Sequence, residues 1–190
     1  MGTAGIVLAA GAGTRMGRPK GLCTDAHGVP WVRLAVEALV GGGCSPVFVV
    51  TGAQFEDVAQ LVPAPAVPVR AADWAEGMSA SLRRGLTAVS GLGDPCDPPD
   101  AAVVALVDMP DLTAPVVRRL LEHGTGPDAL ARAAYRGRPG HPVLLGRAHW
   151  PGVLASARGD AGARRYLRGR DDVLLVEAGD LASGLDRDTP

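Results

Sequence analysis

Close behind an apolar run near the start of the chain stands LAAGAGTRMGRPK, Leu8 to Lys20, in which three glycines alternate with Arg15, Arg18 and Lys20. A backbone stripped of side chains at Gly11 and Gly13 can approach an anion closely, and Arg15 and Lys20 stand ready to offset its charge. A phosphate group suits such a loop. The spacing excludes two familiar alternatives. A dinucleotide fingerprint needs a third glycine where Met16 stands, and a Walker loop needs one five residues on, where Met16 or Arg18 stands. Lys20 is also the only lysine among 19 cationic residues. Either chance preserved it, or the position needs a compact ammonium instead of a planar guanidinium.

Four further segments carry groups that can do chemistry. Asp108 ends an apolar run in VDMP, ahead of Pro110. A carboxylate facing phosphates is repulsive unless a hard cation such as Mg²⁺ lies between them, and the alternative is an Asp that caps a helix or serves a loop. DWAEGMSASL, Asp73 to Leu82, sets Gly77, Ser79 and Ser81 at a helix start, where free N–H groups and hydroxyls can hold a ribose or phosphate. The alternative there is simple capping by Ser79. In RGRPGHPVLL, His141 lies between Pro139 and Pro142, and such a histidine is more often structural than catalytic. The closing LDRDTP reads as Asp188 capping a helix with Pro190 in its first turn, the helix body being absent from the sequence.

These groups need elements to position them. GIVLAA (Gly5–Ala10), PVFVVTG (Pro46–Gly52), AVPVR (Ala66–Arg70) and AAVVALVD (Ala101–Asp108) are near-continuous apolar runs, as expected of parallel strands covered on both faces. PWVRLAVEALVGGG, QFEDVAQLV and EGMSASLRRGLTAV alternate with them at helical spacing. TAPVVRRLLEHG opens with Thr113 as N-cap and Pro115 in the first turn, and stops at Gly124. Ser90 to Asp100 reads as a Gly/Pro-rich surface loop. Beyond Asp128 follow a hairpin around Arg136–Gly140, short helices near Arg147–Ala157 and Ala161–Arg168, and a strand in DVLLVEAG. The fold class is α/β: one domain, a mostly parallel, doubly wound, Rossmann-like sheet with helices on both faces and a hairpin-containing C-terminal region. In such sheets ligands bind beyond the carboxyl ends of the strands, where Gly11–Lys20, Asp73–Ser81 and Asp108–Pro110 all fall.

Composition narrows the function classes. The chain has 190 residues, 47% of them hydrophobic, with a formal net charge of −1. That balance gives no cue for nucleic acid, and the apolar runs are too short to cross a bilayer. The N-terminus lacks the basic region of a secretory signal, and Ile6 breaks the myristoylation pattern that Gly2 begins. Cys23, Cys44 and Cys96 show no metal or redox spacing and read as reduced thiols, so a cytoplasmic protein is expected.

Taken together and in this order, LAAGAGTRMGRPK, DWAEGMSASL, VDMP, GRPGHPVLL and LDRDTP resemble the molybdenum cofactor cytidylyltransferase branch of the MobA-like nucleotidyltransferases, from Gly5 to Pro190. The resemblance implies transfer of CMP from CTP to the phosphate of molybdopterin, with release of pyrophosphate. It makes residues 1–127 the nucleotide-binding part and 128–190 the acceptor-binding and closing part of one domain. It implies that Leu8, Ala9, Ala10, Gly11, Gly13, Arg15, Lys20, Gly77, Ser79 and Ser81 bind the nucleotide, with Arg15 and Lys20 catalytic. Asp108 is implied as a Mg²⁺ ligand and Asp188 as a second, while Gly140, His141 and Pro142 meet the acceptor. A molybdenum hydroxylase or its chaperone is the implied partner. Three alternatives remain: a GTP-dependent guanylyltransferase of the same cofactor, a sugar-phosphate nucleotidyltransferase, and a non-catalytic nucleotide- or pterin-binding maturation factor. Against the first, Ala10 stands where guanylyl-specific relatives carry a second glycine.

Overall fold

The computed structural model describes residues 2–91 and 99–188. Most of the Ser90–Asp100 loop, Cys96 and the Thr189–Pro190 pair lie outside the described residues. The apolar runs form strands β1 (Thr3–Ala9), β2 (Val47–Thr51), β3 (Val67–Arg70) and β4 (Ala101–Leu106), and β1, β2 and β4 are buried along their whole length. The C-terminal region adds β5 (Leu130–Tyr135), β6 (Arg138–Gly146) and β7 (Leu174–Glu177). All seven belong to one sheet, in the order β3-β2-β1-β4-β6-β5-β7. Only β6 runs against its neighbours, because the hairpin reverses the chain after Tyr135. The hairpin thus extends the sheet that holds the glycine loop, and no second core is needed. Two free cysteines, Cys23 and Cys44, are buried, and burial pushes the Cys44 thiol up to about 12.

Helices α1 (Trp31–Gly41), α2 (Phe55–Gln60), α3 (Met78–Ser90) and α4 (Ala114–Leu121) connect the strands, and the short α5 (Trp150–Ser156) and α6 (Arg164–Leu167) precede β7. Adjacent strand residues point to opposite faces. A Cβ on Gly5 would meet Leu39 of α1 at 3.0 Å, whereas a Cβ on Gly85 of α3 would meet Ile6 at 2.7 Å. Helices α1 and α3 therefore cover opposite faces, each close enough that glycine marks the contact. The Gly41–Gly43 run ends α1, but not through a left-handed cap at Gly42. A Cβ there would lie 2.4 Å from Val117, so the glycine lets α4 pack closely against the end of α1. Thr113 does occupy the N-cap position of α4, with no capping bond from its hydroxyl.

The strand order reverses direction between β1 and β4, since β2 and β3 follow outward on one side and β4 begins the other. Such a switch point opens a crevice at the carboxyl ends of the strands. The loops after β1, before α3 and after β4 converge on it.

Candidate active site

The loop from Ala10 to Pro19 is shaped by one glycine above all. Gly13 has φ 60° and ψ 42°, and a Cβ there would lie 1.9 Å from the Arg18 carbonyl oxygen. Only glycine closes this turn, which brings Lys20 back beneath the end of β1. Gly11 plays a different part. It lines the crevice, and a Cβ would find nothing within 4 Å, so its bareness leaves space open to a ligand.

Lys20 reaches two carboxylates. Its Nζ donates to Asp108 Oδ2 at 2.7 Å and to Asp188 Oδ1 at 2.5 Å, while Arg15 Nη1 donates to Asp188 Oδ2 at 3.2 Å. The lysine side chain is only 19% exposed. Asp108 stands two residues past β4, and its carbonyl accepts the Arg187 N–H at 2.8 Å, which ties the terminal segment to the site. Burial opposes the Lys20 charge, but the hydrogen bonds to Asp108 and Asp188 outweigh it and hold the ammonium pKa above its ordinary value. The same bond from Lys20 holds Asp188 below the usual carboxylate range. A third carboxylate, Asp186, is pushed up by burial and by the charges of Asp108 and Asp188.

Asp108 Oδ1 is buried and has no hydrogen-bond partner. An orphaned carboxylate oxygen of this kind is a ligand position awaiting a donor or a cation. Among the described residues no three His, Cys, Asp or Glu side chains form a ready-made metal site. A Mg²⁺ ion does not need one, because it is commonly held by one or two carboxylates together with phosphate oxygens and water. Asp108 Oδ1 is the free oxygen that fits such an ion, whereas both Asp188 oxygens are engaged by Lys20 and Arg15.

A crevice of about 370 Å³ opens beside Lys20 and Asp108, while Arg15, Asp186 and Asp188 are not in its wall. Leu8, Ala9, Ala10, Gly11, Gly13, Lys20, Gly77, Ser81 and Asp108 all line it. Ser79 does not. It is fully buried, and its hydroxyl accepts the Gly162 N–H at 3.1 Å, which fastens α3 to the segment before α6. Nor does Ser79 cap α3. That place belongs to Asp160, whose Oδ1 accepts the Met78 N–H at 3.3 Å across the crevice. A Cβ on Gly77, where φ is 105°, would stand 2.5 Å from that oxygen. One N–H of the helix N-terminus read as a phosphate or ribose seat is thus directed at a carboxylate.

A second cavity of about 260 Å³ shares Met78, Leu106, Asp108 and Asp160 with the crevice. Gly140 and His141 line it, whereas Pro142 is buried in β6. Sequence reasoning missed Arg132 and Arg164, which face the same cavity. Arg132 is held by the Gly140 carbonyl through Nε at 3.2 Å and Nη2 at 3.1 Å. Burial, aided by Arg164, lowers the Arg132 pKa. Nothing local flagged Asp160 or Arg164, but Asp186, two residues before Asp188, was within reach of the sequence.

Burial, with Arg132 and Arg164 nearby, takes the His141 imidazole from 6.5 down to about 4. As pH falls through that window the unfolded chain takes up a proton that the folded imidazole refuses. Stability is therefore full above pH 6.5 and lost as pH falls toward 4, by at most about 1.4 kcal/mol per pH unit. Melting temperatures from pH 7 to pH 4 should fall more steeply for the native protein than for His141→Gln. Parallel curves would show that His141 is not held neutral.

A model of the MobA-like NTP transferase domain matches residues 5–173. Nicotine blue oxidoreductase of Paenarthrobacter nicotinovorans is 35% identical over 196 residues, covering 97% of this chain and 91% of that protein. Among solved structures, a nucleotidyl transferase from Methanothermobacter thermautotroptrophicus superposes with a TM-score of 0.81 at 24% identity, covering 99% of this chain and 92% of that one. Rv0371c of Mycobacterium tuberculosis, in complex with manganese, gives 0.74 at 23% identity, covering 98% and 94%. With the domain match spanning most of its length, this chain belongs to the MobA-like NTP transferase family.

Proposed function

We propose that the protein is a Mg²⁺-dependent nucleotidyltransferase that moves CMP from CTP to the phosphate of molybdopterin and releases pyrophosphate. The observation that carries this reading is the convergence of Lys20, Asp108 and Asp188 beside the glycine loop, with one Asp108 oxygen left without a partner. Residues 1–127 would supply the nucleotide crevice and residues 128–190 the acceptor side. There Arg132, Arg164 and His141 give the second cavity groups suited to an anionic acceptor.

The chemistry asks little of a general base, because the acceptor phosphate is already ionised. Its oxygen attacks the α-phosphorus of the nucleotide, the new P–O bond forms in line, and the bond to the β-phosphate oxygen breaks. Arg15 and Lys20 bind and stabilise the departing pyrophosphate. Asp108 and Asp188 would hold Mg²⁺, which when bound neutralises phosphate charge. The shared wall at Asp108 and Asp160 sets the acceptor cavity directly beside the nucleotide crevice. A molybdenum hydroxylase or its chaperone would receive the product.

CTP is expected to be preferred to GTP, because the Ala10 methyl lies in the crevice wall and narrows the space for a purine. The test is a panel of four nucleoside triphosphates with Mg²⁺ and molybdopterin, read as pyrophosphate. Faster turnover with GTP would overturn the cytidylyl assignment, and Ala10→Gly should relax the preference. A binding factor would release no pyrophosphate with any nucleotide.

The nicotine blue relative favours a second reading, in which the crevice holds a redox nucleotide. A reduced nicotinamide dinucleotide would have to bind this loop without the third glycine of its usual fingerprint, and would deliver hydride to an oxidised acceptor. Adding NADH or NADPH and a reducible dye to the panel separates the two. Dye reduction without pyrophosphate release would replace the transferase.

A further inference from the structure

Around the glycine loop the crevice is walled by small side chains and bare backbone, from Ala9 to Thr14, with aliphatic residues such as Leu8 and Leu106 elsewhere. Trp74 is its only aromatic residue, in a chain that has only three tryptophans, two tyrosines and two phenylalanines. Trp31 and Trp150 are 4% exposed and belong to the core, whereas Trp74 is half-buried at the crevice edge. Its ring is also braced. A Cβ on Gly52 would lie 2.4 Å from Trp74 Cγ and 2.7 Å from Cδ1, so the indole rests directly on the bare backbone after β2. The short turn Trp74–Glu76 fixes its backbone, with the Gly77 N–H donating to the Trp74 carbonyl at 3.0 Å.

The position of this ring within the crevice matters. Lys20 and Asp108 gather past the end of β4, and Trp74 lies past the end of β2, on the far side of β1. Two strand spacings are about 10 Å, so the ring borders the same crevice as the Lys20–Asp108 pair but stands well apart from it. An apolar, braced, half-exposed indole at that distance offers a face for a flat heterocycle and nothing for a phosphate.

Resting on the nucleotide reading above, we infer that Trp74 is the platform on which the nucleobase stacks. Every base has a π-face, so the ring contributes affinity for any nucleotide and leaves the choice of base to its neighbours, Ala10 among them. The bare glycine loop fits this role, because Gly11 and Gly13 put no side chain into the crevice that the ring borders. Gly52 fits it too, because any side chain there would push the ring out into the crevice.

The test compares CTP with inorganic tripolyphosphate, which has the charge and no base. Both are titrated with Mg²⁺ by calorimetry and by tryptophan fluorescence, on the native protein, Trp74→Phe and Trp74→Ala. The expected result is that CTP changes the native fluorescence more than tripolyphosphate does, and that Trp74→Phe abolishes the difference while binding CTP within about threefold of native. Trp74→Ala should bind CTP roughly tenfold more weakly, the scale of one lost base–aromatic stack, and tripolyphosphate as before. Equal weakening toward both probes would reduce Trp74 to a support of its loop, and unchanged CTP affinity in Trp74→Ala would overturn the inference outright. If Trp74→Ala fails to fold, the inference stands or falls on Trp74→Phe and the fluorescence difference. Should the native protein bind tripolyphosphate but none of the four nucleoside triphosphates more tightly, the nucleotide reading itself falls. That outcome is distinct from a failure of Trp74 alone.

Discussion

Replacing Lys20 with arginine is expected to lower kcat about a hundredfold while leaving the melting temperature nearly unchanged. Formal charge is conserved, so an exposed cation would tolerate the swap. Lys20 is not in that situation. Its Nζ stands 2.7 Å from Asp108 and 2.5 Å from Asp188 in a side chain that is four-fifths buried. An ammonium is a point charge that fits between two carboxylates now and between oxygens of neighbouring phosphates later. A guanidinium is planar, broader and fixed in its fork, and cannot exchange one set of partners for the other in the same space. It can still pair with Asp188, which is 48% exposed and already accepts from Arg15, so the fold keeps its ion pair. The loss should fall on kcat more than on KM, since a preorganised charge counts most against the charge developing on the leaving group. Removing one such contact costs about 3 kcal/mol. Steady-state kinetics at saturating nucleotide, with melting curves for both proteins, make the comparison. Equal kcat values would leave Arg15 as the remaining candidate cation.

Much of the frame was legible because parallel strands are buried on both faces and betray themselves as unbroken apolar runs. β1, β2 and β4 fall within a residue or two of the runs that named them. The hairpin was legible for another reason: Arg136 and Gly137 both take positive φ, and the sequence marks the turn with a glycine. Its place in the sheet was not legible, because β6 pairs with β4 and β7 with β5 through contacts far apart in sequence. The antiparallel insertion and the return of the last strand to the sheet edge are products of tertiary packing alone.

The site divides along the same line. Gly13, Lys20 and Asp108 could be read locally, since each sits at a strand end or in a turn with a mechanical reason for its type. Ser79 could not. Its spacing at a helix start is that of a ligand-binding or capping hydroxyl, yet it is spent on the Gly162 N–H, and Asp160 caps the helix from 82 residues away. Arg132 and Arg164 likewise meet only because the hairpin and α6 face the same cavity. A residue whose role depends on a partner across the fold leaves no signature in its own neighbourhood.

Replacing Asp108 with alanine is expected to cost about a thousandfold in turnover and to erase the dependence of nucleotide binding on Mg²⁺. The ground is its divided carboxylate. Oδ2 takes the Lys20 ammonium at 2.7 Å, and Oδ1 is buried with no partner at all. A buried orphan oxygen is costly to keep unless something completes it in the working state. The carboxylate also stands where the crevice and the second cavity share a wall, so whatever completes it borders both. The fold should survive the change, because the Asp108 backbone still accepts the Arg187 N–H and Lys20 keeps Asp188. Asp188→Ala should do less damage. Asp188 is half-exposed, has both oxygens engaged by Lys20 and Arg15, and lies in the terminal segment rather than at the end of a core strand. The order of the two defects, Asp108 above Asp188, is therefore as informative as their size. Mg²⁺ titrations of CTP binding and of pyrophosphate release, run on both variants beside the native protein, measure it. Near-normal, Mg²⁺-dependent turnover in Asp108→Ala would move the metal elsewhere, and a larger defect at Asp188 would make the terminal segment, not β4, its principal anchor.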